Sequence, residues 1–326
     1  MSSSHDRPAV SPARLRRLAE ELAEDGVTLD GTEEWRQLVL HELDYALRPA
    51  VHERRVPSFG SIIEPTTDRT GWNGETQLTL THRPLGEMPL PAARRFADGL
   101  SSWLVRRLTG ERELAVFDRP AGSERDLVVL AEALGATLVQ RHPSGLVRMA
   151  GSFGVLRSDG IGWHREPPIS TWIDALSACP VHGDPEVLET LFEFAVHDLG
   201  SRGIGAILVY RPDDDELPSV ERRLPPPPSL HILRPADLAP LRHVLAQVDG
   251  AAVFDRTGVL RELGVRLVPT PEAETGVAGY RGMRHTAGRR YSFDDGRATV
   301  IVVSEDGPVT VLRKGVLLGA SPALVE

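Results

Sequence analysis

Between Gly282 and Glu305 the chain reads GMRHTAGRRYSFDDGRATVIVVSE, which gathers Arg284, His285, Arg289 and Arg290 in one short segment ahead of an apolar run. Guanidinium groups bind phosphate oxygens through paired N–H donors, and an imidazole contacts phosphate or ligates a divalent metal. Such a cluster suits a polyphosphate better than a packed core. Upstream, Asp249-Gly250-Ala251 lies between a helical pattern and a strand pattern. Its carboxylate is of a kind that serves a metal or a hydroxyl, and the two small residues let a ligand approach the backbone. The same three residues also read as a plain capped turn, because Asp-Gly pairs are common there.

Gly282-Met283-Arg284-His285 opens the helical pattern. Unsatisfied amides and the positive dipole end at a helix start favour a phosphate, and Arg284 adds a bidentate contact. Arg289 and Arg290 also fit a solvated helix face. Ser304-Glu305 ends the following strand and offers a hydroxyl and a carboxylate, with a strand-end turn through Asp306-Gly307 as the plainer alternative.

Composition limits the chemistry. With 326 residues the chain has length for two domains, and a formal charge of -9 argues against a general nucleic-acid or membrane-surface binder. An anion site must then be a local basic pocket in an acidic envelope. Cys179 is the only cysteine, which excludes an intrachain disulfide and fits a reducing cytoplasm. The N-terminal MSSSHDRPAV lacks the apolar segment of a signal peptide, and no apolar run reaches the ~18–20 residues that span a bilayer. A cytoplasmic protein with no membrane contact is expected. Lys314 is the only lysine, and it follows no G-x-x-x-x-G loop, so a P-loop is excluded. Any bound phosphate depends on arginine, backbone amides and a metal.

The elements that must position these residues are legible in part. Helices are predicted from Ser11 to Gly26, Glu33 to Leu47, Ala92 to Leu108 and Ser123 to Leu134. Strands are predicted in ETQLTLT (75–81), in ELAVFD from Glu113 and from Thr137 to Arg141, with a turn at His142–Gly145 leading into another at Leu146–Met149. Cys179 to Gly183 reads as a junction. His182 beside Cys179 resembles half of a metal site but lacks a second pair, and Trp163-His164 reads as strand-end packing rather than a ligand pocket. Beyond it come a helix from Asp184 to about Gly200, a strand at Gly205–Tyr210 and a proline-rich surface excursion from Pro212 to Pro228. A helix at Ala236–Gln247 leads to a strand at Ala251–Phe254, a hairpin turn at 255–258 and a strand at Val259–Leu267. A helix at Arg284–Ser292 and strands at Ala298–Val303 and Val309–Arg313 close the pattern.

The ordered set Ile204-Gly205-Ala206-Ile207, Asp249-Gly250-Ala251, Gly282-Met283-Arg284-His285 and Val302-Val303-Ser304-Glu305 resembles the diadenylate cyclase (DAC, DisA_N-type) domain over roughly Asp184 to Leu318. That family carries an Asp-Gly-Ala and an Arg-His-Arg motif. The resemblance implies an α/β fold, with a C-terminal mixed-sheet DAC domain with flanking helices at 181–326, preceded by a smaller α/β domain at 1–180 of regulatory or sensor type. It implies condensation of two ATP into cyclic di-AMP and pyrophosphate at facing sites of a homodimer or higher homo-oligomer, with no DNA expected.

Residue by residue, the resemblance gives Asp249, Arg284 and His285 catalytic roles, and makes Asp249 and His285 candidate ligands of Mg2+ or Mn2+. Gly250 and Ala251 would line the nucleotide, Leu267 would contact adenine, and Ser304 and Glu305 would lie at the phosphates. The third motif position holds Thr286 instead of arginine, and Arg289 or Arg290 one turn on would compensate. The alternative is a catalytically impaired nucleotide-binding sensor.

Overall fold

A computed structural model describes residues 11–49, 51, 56–66, 78–158, 162–165, 169–177, 183–213, 220–280, 282–305 and 309–320. The junction at Cys179 to His182 and the Asp306-Gly307 turn lie outside them, as do residues 75–77 of the predicted strand at 75–81. The chain divides into two compact units, Met1–Arg165 and Glu166–Glu326. The first, expected as the smaller, matches the second in length.

In the first unit, helices α1 (Pro12–Glu24) and α2 (Glu33–Leu47) precede strands β1 (Phe59–Ile63) and β2 (Leu80–Pro84). There follow α3 (Leu90–Arg94), β3 (Ser102–Arg106), β4 (Arg112–Phe117), α4 (Glu124–Leu134) and strands β5 (Thr137–Arg141) to β8 (Trp163–Arg165), with β6 at Val147–Gly151 and β7 at Gly154–Ser158. Among the described residues these strands form one eight-stranded sheet, ordered β2-β4-β3-β1-β5-β6-β7-β8. Leu15, Leu18 and Leu22 of α1 pack with Val39 and Leu43 of α2 over one face, while Leu127, Leu130 and Leu134 of α4 cover the other. Ser123 and Asp126 form a reciprocal capping box that starts α4. Glu42 is fully buried between Arg94 and Arg106, and such a charge is tolerated only when paired.

Of the helix predicted from Ala92 to Leu108 only the first residues form, as the end of α3. Its apolar spacing is genuine, but Asp98 Oδ1 accepts from the amides of Leu100, Ser101 and Ser102 at 2.7–2.9 Å, and Gly99 takes φ +71°. That side-chain bonding offers the backbone an alternative to the helix and turns it into β3. Leu104 is consequently buried and Phe96 exposed.

The second unit begins with α5 (Ile169–Ser177), then α6 (Pro185–Glu193), which runs through a π-helical turn at Phe194–Leu199. Strands β9 (Ala206–Tyr210) and β10 (Val220–Glu221), helix α7 (Pro235–Gln247), strands β11 (Ala251–Phe254) and β12 (Leu260–Leu267) and helix α8 (Pro271–Gly276) follow. Helix α9 (Met283–Asp294) and strands β13 (Thr299–Val303), β14 (Val309–Arg313) and β15 (Val316–Ala320) complete it. The two-residue strand β10 lies within the 212–228 segment, part of which therefore joins the sheet. Residues 214–219 of that segment are outside the described residues.

The sequence predicts no helix at 169–177 and assigns those residues to the first domain, whose expected end is residue 180; they form α5. It packs instead within the second unit, where Trp172 meets Phe192 edge-on at 5.5 Å and Leu176 joins the same core. The division therefore falls at 165/166.

The described strands of this unit form one mixed sheet, ordered β10-β12-β11-β9-β13-β14-β15. Strand β9 is parallel to β11 and antiparallel to β13. Both β9 and β13 are buried throughout, which their unbroken runs AILVY and TVIVV predict. Leu208, Ile301 and Val311 face α6 and α7, whereas Val209, Val300 and Leu312 face α9. Lys314 and Gly315 both take positive φ in the turn between β14 and β15, so the lone lysine belongs to a hairpin. No described helix is long and apolar enough to cross a membrane.

Asp255 stabilises the β11–β12 turn. It is 5% exposed and accepts from the Thr257 amide and hydroxyl, the Val259 amide and Arg261 Nε at 2.6–3.0 Å. Burial pushes its carboxyl up, but the bonds from Thr257, Val259 and Arg261 outweigh this and hold it below its ordinary value. A depressed folded pKa contributes stability that is present above the unfolded value of about 3.9 and is lost as pH falls through the folded one. Asp255→Asn is thus expected to lower the urea midpoint at pH 7, with the gap to wild type shrinking below about pH 4. An equal gap at pH 3 would contradict this role.

Candidate active site

The register of the second sheet gathers the site. Val303 pairs with Ala206, and Ala251 pairs with both Ile207 and Val265. Gly205 just before β9, Asp249 and Gly250 just before β11, and Ser304 and Glu305 just after β13 therefore share one end of the sheet. The start of α9 lies at the same end. Together these elements line a pocket of about 730 Å³, within the ~300–1,000 Å³ usual for a small-molecule cleft.

Its lining includes Asp249, Gly250, Ala251, Leu267, Arg284, His285, Ser304 and Glu305, eight of the eleven residues expected from sequence. Asp249 exposes 94% of its side chain, free to meet a ligand. Arg284 donates from Nη1 to Glu305 Oε1 at 2.8 Å and stands 3.9 Å from Asp249 Oδ1 through Nη2. Gly205 makes that arrangement possible, because a Cβ there would collide with the Arg284 guanidinium and the Glu305 side chain. His285 is buried at 6% exposure, with Nε2 3.2 Å from Thr310 Oγ1 and its ring edge-on to Tyr280.

Backbone proximity explains the glycines. Gly250 takes φ +112°, and a Cβ on it would stand 2.7 Å from the carbonyl carbon of Gly264 on β12. Gly264 is itself at φ +67°. The two backbones touch at a bulge in the β11–β12 ladder, which brings Asp249 beside Val265 and Leu267. Helix α9 starts at Gly282 with no side-chain cap and no acidic residue in its first turn, leaving its first amides open to an anion.

Three expected residues lie elsewhere. Thr286 Oγ1 accepts from the Tyr280 amide at 3.0 Å and donates to the Tyr280 carbonyl at 3.2 Å, closing the loop ahead of α9. Arg289 donates to the carbonyls of Gly315 and Ala278, and Arg290 to those of Val277 and Glu274. Both arginines fasten α9 to its neighbours and neither lines the pocket, so neither replaces the arginine missing at 286. Helical spacing put them one turn on but could not show that unpaired carbonyls from 274–278 and 315 would claim them. In their place the pocket contains Arg223 and Arg266, which the sequence reading missed. Gly264, a glycine inside a strand pattern, was the available signal of a close approach there.

Residues 193–317 match the family model described as DisA bacterial checkpoint controller nucleotide-binding (DAC), and residues 16–166 match the model described as probable sensor domain DACNK. The chain therefore carries a DAC nucleotide-binding domain preceded by a domain of that sensor family. Among curated proteins none matches. A solved structure titled as a hypothetical membrane spanning protein from Bacillus cereus is similar at 20% identity over 41% of this chain and 67% of that one. Its TM-score with this chain is 0.33.

Helix α9 aims Arg284 and His285 only while it lies close against β13. Gly288 allows that approach, since a Cβ there would stand 2.8 Å from Val302 Cγ2 and 3.2 Å from Val300 Cγ1. Gly288→Val is expected to destabilise the protein by about 1–3 kcal/mol through overpacking. Chemical denaturation reads this, and an unchanged midpoint would show that α9 has slack.

Proposed function

We propose that this protein is a diadenylate cyclase, which joins two ATP molecules into cyclic di-AMP and releases two diphosphates. The observation that carries the reading is the convergence of the exposed Asp249 carboxylate, the Arg284 guanidinium and the uncapped start of α9 on one pocket. Arg284 and the α9 amides hold the triphosphate, and Leu267 packs against the adenine. Asp249 accepts the proton of the ribose 3′-hydroxyl, whose oxygen attacks the α-phosphorus of the facing ATP. The bond from that phosphorus to the diphosphate breaks, and the second hydroxyl repeats the step. Phosphoryl transfer of this kind depends on alignment and charge neutralisation rather than on a covalent intermediate.

One pocket holds one nucleotide, so closing the ring requires two copies of the domain with their sites facing. A divalent ion, Mg2+ or Mn2+, would neutralise phosphate charge and polarise the hydroxyl. Asp249 fits such an ion as a hard oxygen donor. His285 suits it less, because its Nε2 lies against Thr310. No group of three or more His, Cys, Asp or Glu side chains capable of holding a metal occurs among the described residues. The ion would therefore be shared between Asp249 and the substrate's own phosphates. The N-terminal domain would regulate turnover.

Thr286 supports a second reading, a nucleotide-binding sensor with impaired turnover, since neither Arg289 nor Arg290 reaches the pocket. Incubation with ATP and Mn2+ followed by chromatography separates the two, with cyclic di-AMP the expected product. ATP binding without product, at concentrations where the protein is dimeric, would establish the sensor instead. Asp249→Asn is expected to keep ATP affinity within a few-fold while product formation falls by roughly 10²–10⁴. Undiminished turnover would remove Asp249 from the chemistry.

A further inference from the structure

We propose that Arg223 and Arg266 form a second polyphosphate-binding wall of the pocket, held by Glu221 until the nucleotide arrives; this rests on the nucleotide reading above. Strand β10 adds to the sheet edge with Glu221 directly opposite Arg266 on β12. Arg266 Nη1 stands 3.4 Å from Glu221 Oε2, and Arg223 Nε stands 3.5 Å from Glu221 Oε1. One carboxylate thus bridges two guanidiniums. Both arginines line the pocket, whereas Glu221 is not among its lining residues.

The charge balance of the lining requires such a wall. On the α9 side Arg284 already faces two carboxylates, Asp249 and Glu305. One cation against two anions repels a triphosphate. Arg223 and Arg266 reverse the sign of the lining. They also supply the cationic charge that position 286 does not, since Thr286 is bonded to Tyr280.

The hold on them is weak. The side chains of Arg223, Arg266 and Glu221 are 53%, 62% and 51% exposed, and exposed ion pairs are worth ~0–1 kcal/mol. Their separations exceed the ~2.7–2.9 Å of a tight charge-assisted bond. A triphosphate presents more charge to each guanidinium than a shared carboxylate does. Each arginine then exchanges Glu221 for phosphate oxygens, and no bond is made or broken covalently.

The test measures affinity of the full chain for α,β-methylene-ATP, which cannot release diphosphate, and for adenosine, which has no phosphate. The double variant R223Q/R266Q is expected to bind the analogue roughly tenfold more weakly, with a flatter salt dependence and adenosine affinity unchanged. E221Q is expected to bind the analogue more tightly, a direction that a damaged fold does not produce. Equal losses for analogue and adenosine, an unchanged analogue affinity in R223Q/R266Q, or weaker binding in E221Q would each overturn the proposal. Wild type that fails to bind the analogue would remove the nucleotide reading itself and this inference with it.

Discussion

Strand β9 is paired along its length on both sides, parallel to β11 and antiparallel to β13, and the rest of the site depends on that double pairing. Because β13 runs antiparallel to β9, and β9 parallel to β11, the C-terminal end of β13 lies at the same end of the sheet as the N-terminal ends of β9 and β11. Three segments distant in sequence thereby deliver Gly205, Asp249 and Glu305 to one edge of the sheet. A slip of one residue would turn each strand's alternate face and scatter the set. The buried runs AILVY and TVIVV resist such a slip, since both faces of these strands are covered.

Electrostatics at that edge is a matter of exchangeable pairs. Arg284 is shared between Asp249 and Glu305, and Glu221 is shared between Arg223 and Arg266. All six side chains are partly or largely exposed, so water screens these contacts and none holds the fold together. Buried charge in the first unit behaves differently. Glu42, enclosed by Arg94 and Arg106, could not lose a partner without leaving an uncompensated ion in the interior. The contrast separates charges that maintain structure from charges available to a ligand.

Much of the fold was legible where local signals agreed. Helix α2 was read with its observed limits from its amphipathic pattern, and the structure adds the Thr32 side chain as its cap. Strands β9, β11 and β13 were read to within a residue from short apolar runs bounded by turn residues. Prediction failed where one side chain outvoted the periodicity, as Asp98 did at Leu100–Ser102. It failed again at β10, a two-residue strand whose existence depends entirely on β12 as a partner. Helix α5 was missed because its apolar face has meaning only against Phe192 and the neighbouring core.

The candidate site divides in the same way. The sequence by itself determined the residue types and their order: an Asp-Gly-Ala turn, an Arg-His pair opening a helix, a Ser-Glu strand end, and no lysine for a P-loop. These are local properties, set by neighbours along the chain. Only the tertiary structure decided which cations face the ligand. Arg289 and Arg290 fall to backbone carbonyls of residues near in space, and Arg223 and Arg266 reach the pocket from the sheet edge. A guanidinium on a long side chain is claimed by the nearest unpaired acceptor, and the nearest acceptor is fixed by the packing of strands and helices that the local sequence does not encode.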